Sequence, residues 1–254
     1  MSPGEALDAA AYDEQWARLG DFLRYNPGAR HRRRLVRKAL RGAGFIDGSL
    51  LDVGCGLGEM VGSLADAFPR AMITGVDLSP LAIERCRHTR PRQQWAVADV
   101  TVDELPDRFD AVVCSEVLEH LDQPTSAVAA LARAARESGV VVITVPHGRV
   151  HTTERAVGHL HHPTFDELDS WCSGAGLVIE HCWCWGWPAF AMVKRAGDIN
   201  PDATMAAFGS GDYSAPKRML NDAAYLATFA LSMPSNRRGV QTVVVARKPA
   251  TAGS

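Results

Sequence analysis

The chain has 254 residues, long enough for one large α/β domain with no second one required. With 46% hydrophobic and 22% charged residues and a formal net charge of −2, it reads as an ordinary globular chain, and the charge excludes a general polyanion binder. It contains no apolar run of roughly 18 residues, the opening MSPGEALDAA has no basic and apolar signal architecture, and six cysteines, several at strand positions, suit a reducing cytoplasm.

Residues 1 to about 9 are expected to fray. From Ala10 to Leu23 the spacing of Tyr12, Trp16, Leu19, Phe22 and Leu23 predicts a helix with an aromatic face, broken at Asn26-Pro27-Gly28. A second helix, about Ala29–Leu40, carries the basic run HRRRLVRK. That run reads as a solvated face, with an anionic membrane surface or a phosphate-bearing substrate as the alternative. Alternation follows. Strands are expected at Leu50–Val53, Ala71–Val76, Gln94–Val97, Phe109–Cys114, Val140–Val145, Leu177–Cys184 and Gly239–Lys248. Helices follow the first strand (Met60, Val61, Leu64 and Phe68 at helical spacing) and are expected at Pro80–Arg87, Thr125–Arg136 and Thr164–Ser173, the last capped by Thr164. This is an α/β chain with a doubly wound, seven-stranded sheet. Between the sixth and seventh strands, Gly186–Arg238 is too long for a connection and reads as a helical lid. A single domain results: a helical cap over 10–42, a core over 43–185 and 239–248, and the lid over 186–238.

The organising stretch is Leu50–Glu59, LLDVGCGLGE. A short apolar strand runs into Gly54, Gly56 and Gly58, which let a ligand lie against the main chain at a helix start. Asp77 follows the second strand, where an acid can bind ribose hydroxyls, and Asp99 follows the third. A dinucleotide fold shares the first acid, but the spacing here is Gly-x-Gly-x-Gly and the second acid is additional. The ordered set LDVGCGLGE, VDLS (Val76–Ser79) and ADV (Ala98–Val100) resembles the class I S-adenosylmethionine-dependent methyltransferases over about Leu50–Val145. The resemblance implies a Rossmann-like core and S-adenosylmethionine as cofactor. It implies that Gly54, Cys55, Gly56 and Gly58 cradle the methionine and ribose portion, with Asp52 bracing the loop. It further implies that Asp77 with Leu78 takes the ribose, that Asp99 with Val100 meets the adenine, and that Ser115 borders the cleft.

After the fourth strand comes CSEVLEHLDQP, Cys114–Pro124, without the Asn/Asp-Pro-Pro-aromatic sequence of amino-group methyltransferases acting on DNA. Glu116, Glu119 and His120 share one face if the segment is helical. Gly158–Pro163 then adds His159, His161 and His162 ahead of the expected helix at Thr164. This arrangement resembles the branch that includes ubiquinone-biosynthesis O-methyltransferases and small-RNA 2′-O-methyltransferases. There, a Glu-x-x-Glu-His element and a later histidine hold a divalent cation such as magnesium. The stretch Trp16–Arg30, WARLGDFLRYNPGAR, also looks like the Gly-acid-Phe and Asn-Pro-x-Arg portion of the ubiquinone group, at shorter spacing. The resemblance implies Glu116, Glu119, His120 and His159 as metal ligands, His161 and His162 being alternatives to His159. Two carboxylates and two imidazoles suit a hard or borderline ion that lowers the pKa of an attacking hydroxyl. The same residues suit, and the reading favours, a metal-free pocket in which Glu116 shapes the site and His120, or His147 on the rim, removes the proton. Cys182 and Cys184 alternate with Trp183 and Trp185 and read, with Cys172, as core packing, while Trp185, Trp187 and Phe190 either fill the lid core or wall an apolar pocket.

The reading is a cytoplasmic methyltransferase of a small-molecule acceptor, directed at a hydroxyl or phenol. Its rivals are an RNA 2′-O-methyltransferase, an N- or C-methyltransferase of a small molecule, and a non-catalytic cofactor-binding subunit. Nucleic acid is disfavoured by the near-neutral charge, membrane contact is at most peripheral, and the sequence carries no signal for an oligomeric state.

Overall fold

The computed structural model describes residues 7–19, 21–105, 108–209, 213–235 and 238–250. The expectation for residues 1–6, and Gly20 of the Gly-acid-Phe element, lie outside the described residues. The N-terminal helices are α1 (Ala9–Leu19), α2 (Phe22–Tyr25) and α3 (Pro27–Gly42). Pro27 opens α3 where its missing N–H is no loss, and the Asn26 side chain accepts from the Ala29 N–H at 3.1 Å. β1 (Ser49–Val53), α4 (Glu59–Ala67), β2 (Met72–Asp77), α5 (Pro80–Thr89), β3 (Gln94–Val97) and β4 (Phe109–Ser115) follow. Then come a 3₁₀ turn (Leu118–His120), α6 (Pro124–Ala134), β5 (Ala135–Pro146), α7 (Thr152–Arg155), α8 (Phe165–Gly174) and β6 (Val178–Pro188). The chain ends with α9 (Ala189–Gly197), α10 (Pro201–Gly209), α11 (Ala215–Ala230), β7 (Ser232–Ser235) and β8 (Gln241–Arg247).

These strands form one sheet in the order β3-β2-β1-β4-β5-β8-β6-β7. β3, β2, β1, β4 and β5 are parallel, and β8 is antiparallel to both β5 and β6. The order reverses between β1 and β4, which opens the crevice where doubly wound sheets bind ligands. Apolar side chains of alternate parity fill the two faces. One core holds Leu51, Val112, Ile143, Val244 and the inner sides of α6 and α8; the other holds Leu50, Val113, Val142, Val243 and those of α3, α4 and α5.

Two departures from the sequence reading have local causes. The sheet has eight strands, because Ser232–Ser235 pairs antiparallel with β6. Four residues containing Pro234 give no alternation to read, and Pro at an edge strand forfeits no ladder bond. The basic run on α3 is also more than a solvated face. His31 is buried, with ring centroids of Trp185 and Tyr225 at 4.4 and 4.7 Å, and its Nε2 lies 2.8 Å from Thr228 Oγ1. Arg30 and Arg34 cover the rings of Tyr225 and Phe229 on α11 at 4.0 and 3.7 Å. Within residues 186–238, α11 therefore packs on α3, and α9 packs on β6 and α11.

Candidate active site

The glycine loop leaves β1 at the switch point. The Gly54 and Cys55 N–H groups both donate to the Val76 carbonyl, at 2.8 and 2.9 Å, which fastens the loop to the end of β2. Gly54 and Gly56 take φ of 70° and 49°, and a Cβ on Gly54 would fall 2.2 Å from Val117 Cγ2. Only glycine fits there. Asp77 accepts from the Gly56 N–H at 2.7 Å and the Ser79 N–H at 2.9 Å, so it clasps the loop from the neighbouring strand end. Burial still raises its carboxyl, against the pull of those two bonds. Asp52 is 1% exposed with Oδ2 unpartnered, and burial pushes it up to about 8. Leu78 follows Asp77 half-buried, and Val100 packs into the core beside Val76. Asp99 Oδ1 accepts from the Thr101 N–H and hydroxyl, at 2.8 and 2.6 Å, closing a local turn. Cys55 and Cys86 both point at the Gly56 carbonyl, 3.8 and 3.3 Å away, as buried thiols.

Helix α1 covers this cleft. Asp13 accepts from the Ser79 hydroxyl, and the Trp16 ring stands 3.0 Å from where a Gly56 Cβ would be. Tyr12 stacks on Trp16 and meets His120 edge-on, at centroid distances of 6.4 and 6.2 Å. Its aromatic spacing was visible in the sequence, but the surface it covers was not.

Across the crevice, β4 ends in Ser115 and Glu116. Glu116 has φ 61°, a left-handed conformation that costs a non-glycine residue energy. Glu116 and Glu119 are close enough to act on each other but have different partners. Glu116 Oε1 accepts from Gln241 Nε2 at 2.6 Å and the Thr144 hydroxyl at 3.3 Å, and Arg32 Nη1 lies 3.5 Å from Oε2. The Ser115 hydroxyl, 2.7 Å from Thr144 Oγ1, donates to it. Burial raises the Glu116 carboxyl while Arg32 and Gln241 pull it down.

Glu119 is fully buried, and neither carboxylate oxygen has a hydrogen-bond partner among the described residues. Burial and the nearby Glu116 push it well above the usual carboxylate range. Its backbone carbonyl accepts from the Leu160 N–H at 2.8 Å, which draws the histidine loop to it. Candidate ligand atoms of Glu119, His120 and His159 then lie within 4.8 Å of one another, and those of Glu154, His159 and His162 form a second such group. His120 Nδ1 donates to the Gly158 carbonyl and His162 Nδ1 to that of Gly148, each at 3.1 Å. His162 Nε2 is thereby the acceptor for His159 Nδ1–H at 3.0 Å. One bare nitrogen remains on His120 and one on His159. Burial lowers His120 and His162 to about 4 and His159 to about 2, so all three are neutral near pH 7, the ligating form.

The structure thus brings Glu119, His120 and His159 together and holds Glu116 apart, in the Arg32–Gln241 nest. His161 is exposed and bound to Glu167 at 3.0 Å, outside the cluster. His147 is half-buried on the rim, its Nδ1 3.1 Å from Thr242 Oγ1. It borders a cavity of about 350 Å³ that reaches His162, Thr164 and Phe165. Glu154, Lys194 and Gln241 carried no signal in the sequence, and Arg32 stood out only as part of the basic run on α3. Lys194, on α9, pairs with Glu154, and Asp198 at the end of that helix pairs with His151.

Cleft, glycine loop and ordered acids form a nucleotide-type cofactor site on a Rossmann-like sheet, and comparison with known proteins gives the family. A methyltransferase-domain family model matches residues 51–143. The ubiquinone biosynthesis O-methyltransferase of Alkalilimnicola ehrlichii is 42% identical over 154 residues, 52% of this chain and 61% of that one. The matched part is thus less than two thirds of that enzyme. The enzyme of the same name from Pseudomonas paraeruginosa is 32% identical over 54% of this chain and 68% of its own length. In fold the chain is similar to the N-methyltransferase NodS of Bradyrhizobium japonicum bound to S-adenosyl-L-homocysteine, with TM-score 0.60 and 18% identity over 95% of this chain and 98% of that one. The chain belongs to the class I S-adenosylmethionine-dependent methyltransferases. That class takes its methyl group from S-adenosylmethionine, and the matched stretch holds the glycine loop, Asp77 and Asp99.

Proposed function

We propose that the enzyme methylates a hydroxyl or phenol of a small molecule, with a divalent cation held by Glu119, His120 and His159. The observation that carries this reading is the Glu119 carboxylate: fully buried, unpartnered, and beside two imidazoles that each keep a bare nitrogen. A buried carboxylate without a donor is destabilising, and a cation completes its coordination. The backbone bonds from His120 and His162 fix the tautomers, as second partners of metal-bound histidines do. A divalent ion there supplies Lewis acidity, lowering the pKa of a hydroxyl that meets it.

The chain's own groups do the rest. The glycine loop and Asp77 are proposed to seat the methionine and ribose of the cofactor, Asp99 and Val100 its adenine, and the spare Asp52 oxygen suits a cationic group of the ligand. Helix α1 excludes water above Gly56. Glu116, oriented by Gln241, Thr144 and Arg32, faces the acceptor side and aligns it for in-line displacement at the sulfonium methyl. His147 lines the neighbouring cavity as a proton acceptor on its exit path. The names of the relatives support an oxygen acceptor, and the net charge of −2 supports a small molecule over RNA.

Turnover with a catechol acceptor, before and after exhaustive chelation, tests the reading. Activity should vanish with chelator and return with magnesium or a transition ion, and vicinal diols should outrun their mono-hydroxy analogues. Full activity in excess chelator, with no metal detectable by elemental analysis, transfers proton removal to His120 or His147 and ends the metal assignment.

A further inference from the structure

Helix α11 has two faces of opposite kinds. Tyr225, Thr228 and Phe229 turn inward onto His31 and the rest of α3. On the other side Pro216, Met219, Leu220, Ala223, Leu226, Ala227, Ala230 and Leu231 are all exposed. At 100° per residue they fill a single arc of about 140°, which holds no polar or charged residue along the whole helix. Met219, Leu220, Leu226 and Leu231 are 72, 71, 63 and 64% exposed, and Met233 on β7 adds 60%. Such a stripe offers several hundred Å² of apolar surface, more than a solvated helix carries and approaching the roughly 800 Å² per partner of a stable protein interface.

We propose that this stripe is the interface of a symmetric homodimer, covered in solution by α11 of a second copy of the chain. Its pattern is complementary to itself. In an antiparallel pair with the twofold axis level with residue 225, Met219 meets Leu231, Leu220 meets Ala230, and Ala223 meets Ala227. Small side chains thus face each other beside the axis and allow close helix approach, Leu220 faces a small one farther out, and Met219 and Leu231 pack together at the ends.

The flanks of the stripe argue against a lipid occupant, which needs a basic border available to head groups. Here the charged residues of α11 are engaged within the chain. Arg30 Nη1 donates to Asp222 at 2.5 Å. Arg218 lies 3.8 Å from Asp21 and over the Tyr25 ring at 4.8 Å, and Lys217 lies over Tyr213 at 4.2 Å. What remains outward is apolar, and a like surface is its complement. The stripe stands apart from the groups assigned to cofactor and metal, so the interface does not depend on the proposed chemistry.

Sedimentation equilibrium on the full chain decides the matter. The expected mass is twice the 27.4 kDa of the single chain. Leu220→Asp and Leu226→Asp should each return the single-chain mass, with far-UV circular dichroism and S-adenosylmethionine affinity unchanged. Ile46→Asp, an equally exposed apolar site elsewhere, should leave the dimer intact. As a second measurement, the pair Ala223→Cys with Ala227→Cys should cross-link two chains under mild oxidation by copper–phenanthroline. A single-chain mass at every concentration to about 100 μM overturns the proposal, as does a dimer that survives both aspartates. A monomer that floats with vesicles of anionic and zwitterionic phospholipid, and is released by Leu226→Asp, overturns it in favour of a lipid face.

Discussion

The cofactor cleft and the acid–imidazole cluster both take carboxylates out of water, and they hold them in opposite ways. Asp77 receives two backbone N–H groups, from Gly56 and Ser79, one on each oxygen, before any ligand arrives and keeps lone pairs for further donors. Glu119 receives none from any other described residue, and it sits beside the Glu116 carboxyl and two neutral imidazoles. A carboxylate that already has its donors belongs to the scaffold and preorganises the cleft. One without donors is a standing cost, offset only when a ligand completes it. Asp52 stands between the two cases, with one oxygen unpartnered at the edge of the cleft.

The largest expected effect falls on Glu119. Glu119→Gln should lower kcat by about 10²–10³, or about 3–4 kcal/mol of transition-state stabilisation. The ligand-free protein should melt no lower than wild type, because the carboxyl has no hydrogen bond to another described residue to lose. Steady-state kinetics and a thermal melt on the same preparations check both halves. A variant less stable yet fully active would reverse the contrast with Asp77.

Asp77→Ala should weaken S-adenosylmethionine binding by about 1.5–3 kcal/mol, through lost charge-assisted ribose bonds and a loosened Gly56. Titration calorimetry showing wild-type affinity would remove the ribose assignment.

Asp52 sharpens the comparison through pH. Burial raises it to about 8, so the folded protein keeps a proton that the unfolded chain releases near pH 3.9. Its stabilising contribution is complete below about pH 4 and is lost as pH climbs to about 8. The depressed histidines, His31 at about 3 and His120 and His162 at about 4, run the other way. Their effect ends near pH 6.5, where they are neutral both folded and unfolded. Between about pH 6.5 and 8, melting of the ligand-free wild type should therefore fall more steeply than that of Asp52→Asn. Parallel curves would mean that Asp52 is ionised and partnered after all.

The smallest effect is expected at Trp16, whose ring covers Gly56. Trp16→Ala should cost about 1 kcal/mol of cofactor affinity, seen as faster dissociation in stopped flow. No change in the off-rate would make α1 a bystander above the cleft.

The sequence by itself determined the half of the site that is local. The strand-to-glycine turn, Asp77 and Asp99 each sit at a strand end or within two residues of it, and periodicity located those strands to within a residue or two. Where local pattern weakened, so did the reading. β5 begins at Ala135 although Arg136 and its neighbours suggest helix, because pairing of Phe109 with Ala135 competes with helical propensity. The tertiary structure alone decided the other half. The different partners of Glu116 and Glu119, Gln241 and Arg32 for one and the histidine pair for the other, are invisible in a Glu-x-x-Glu-His string. That His159 and not His161 joins Glu119 depends on Leu160 donating to the Glu119 carbonyl. Arg32, Gln241 and Lys194 reach the site from α3, β8 and α9, across separations that leave no spacing to read. Short-range geometry is written in residue order, whereas a site closed by long-range contacts exists only once the sheet has brought its edges together.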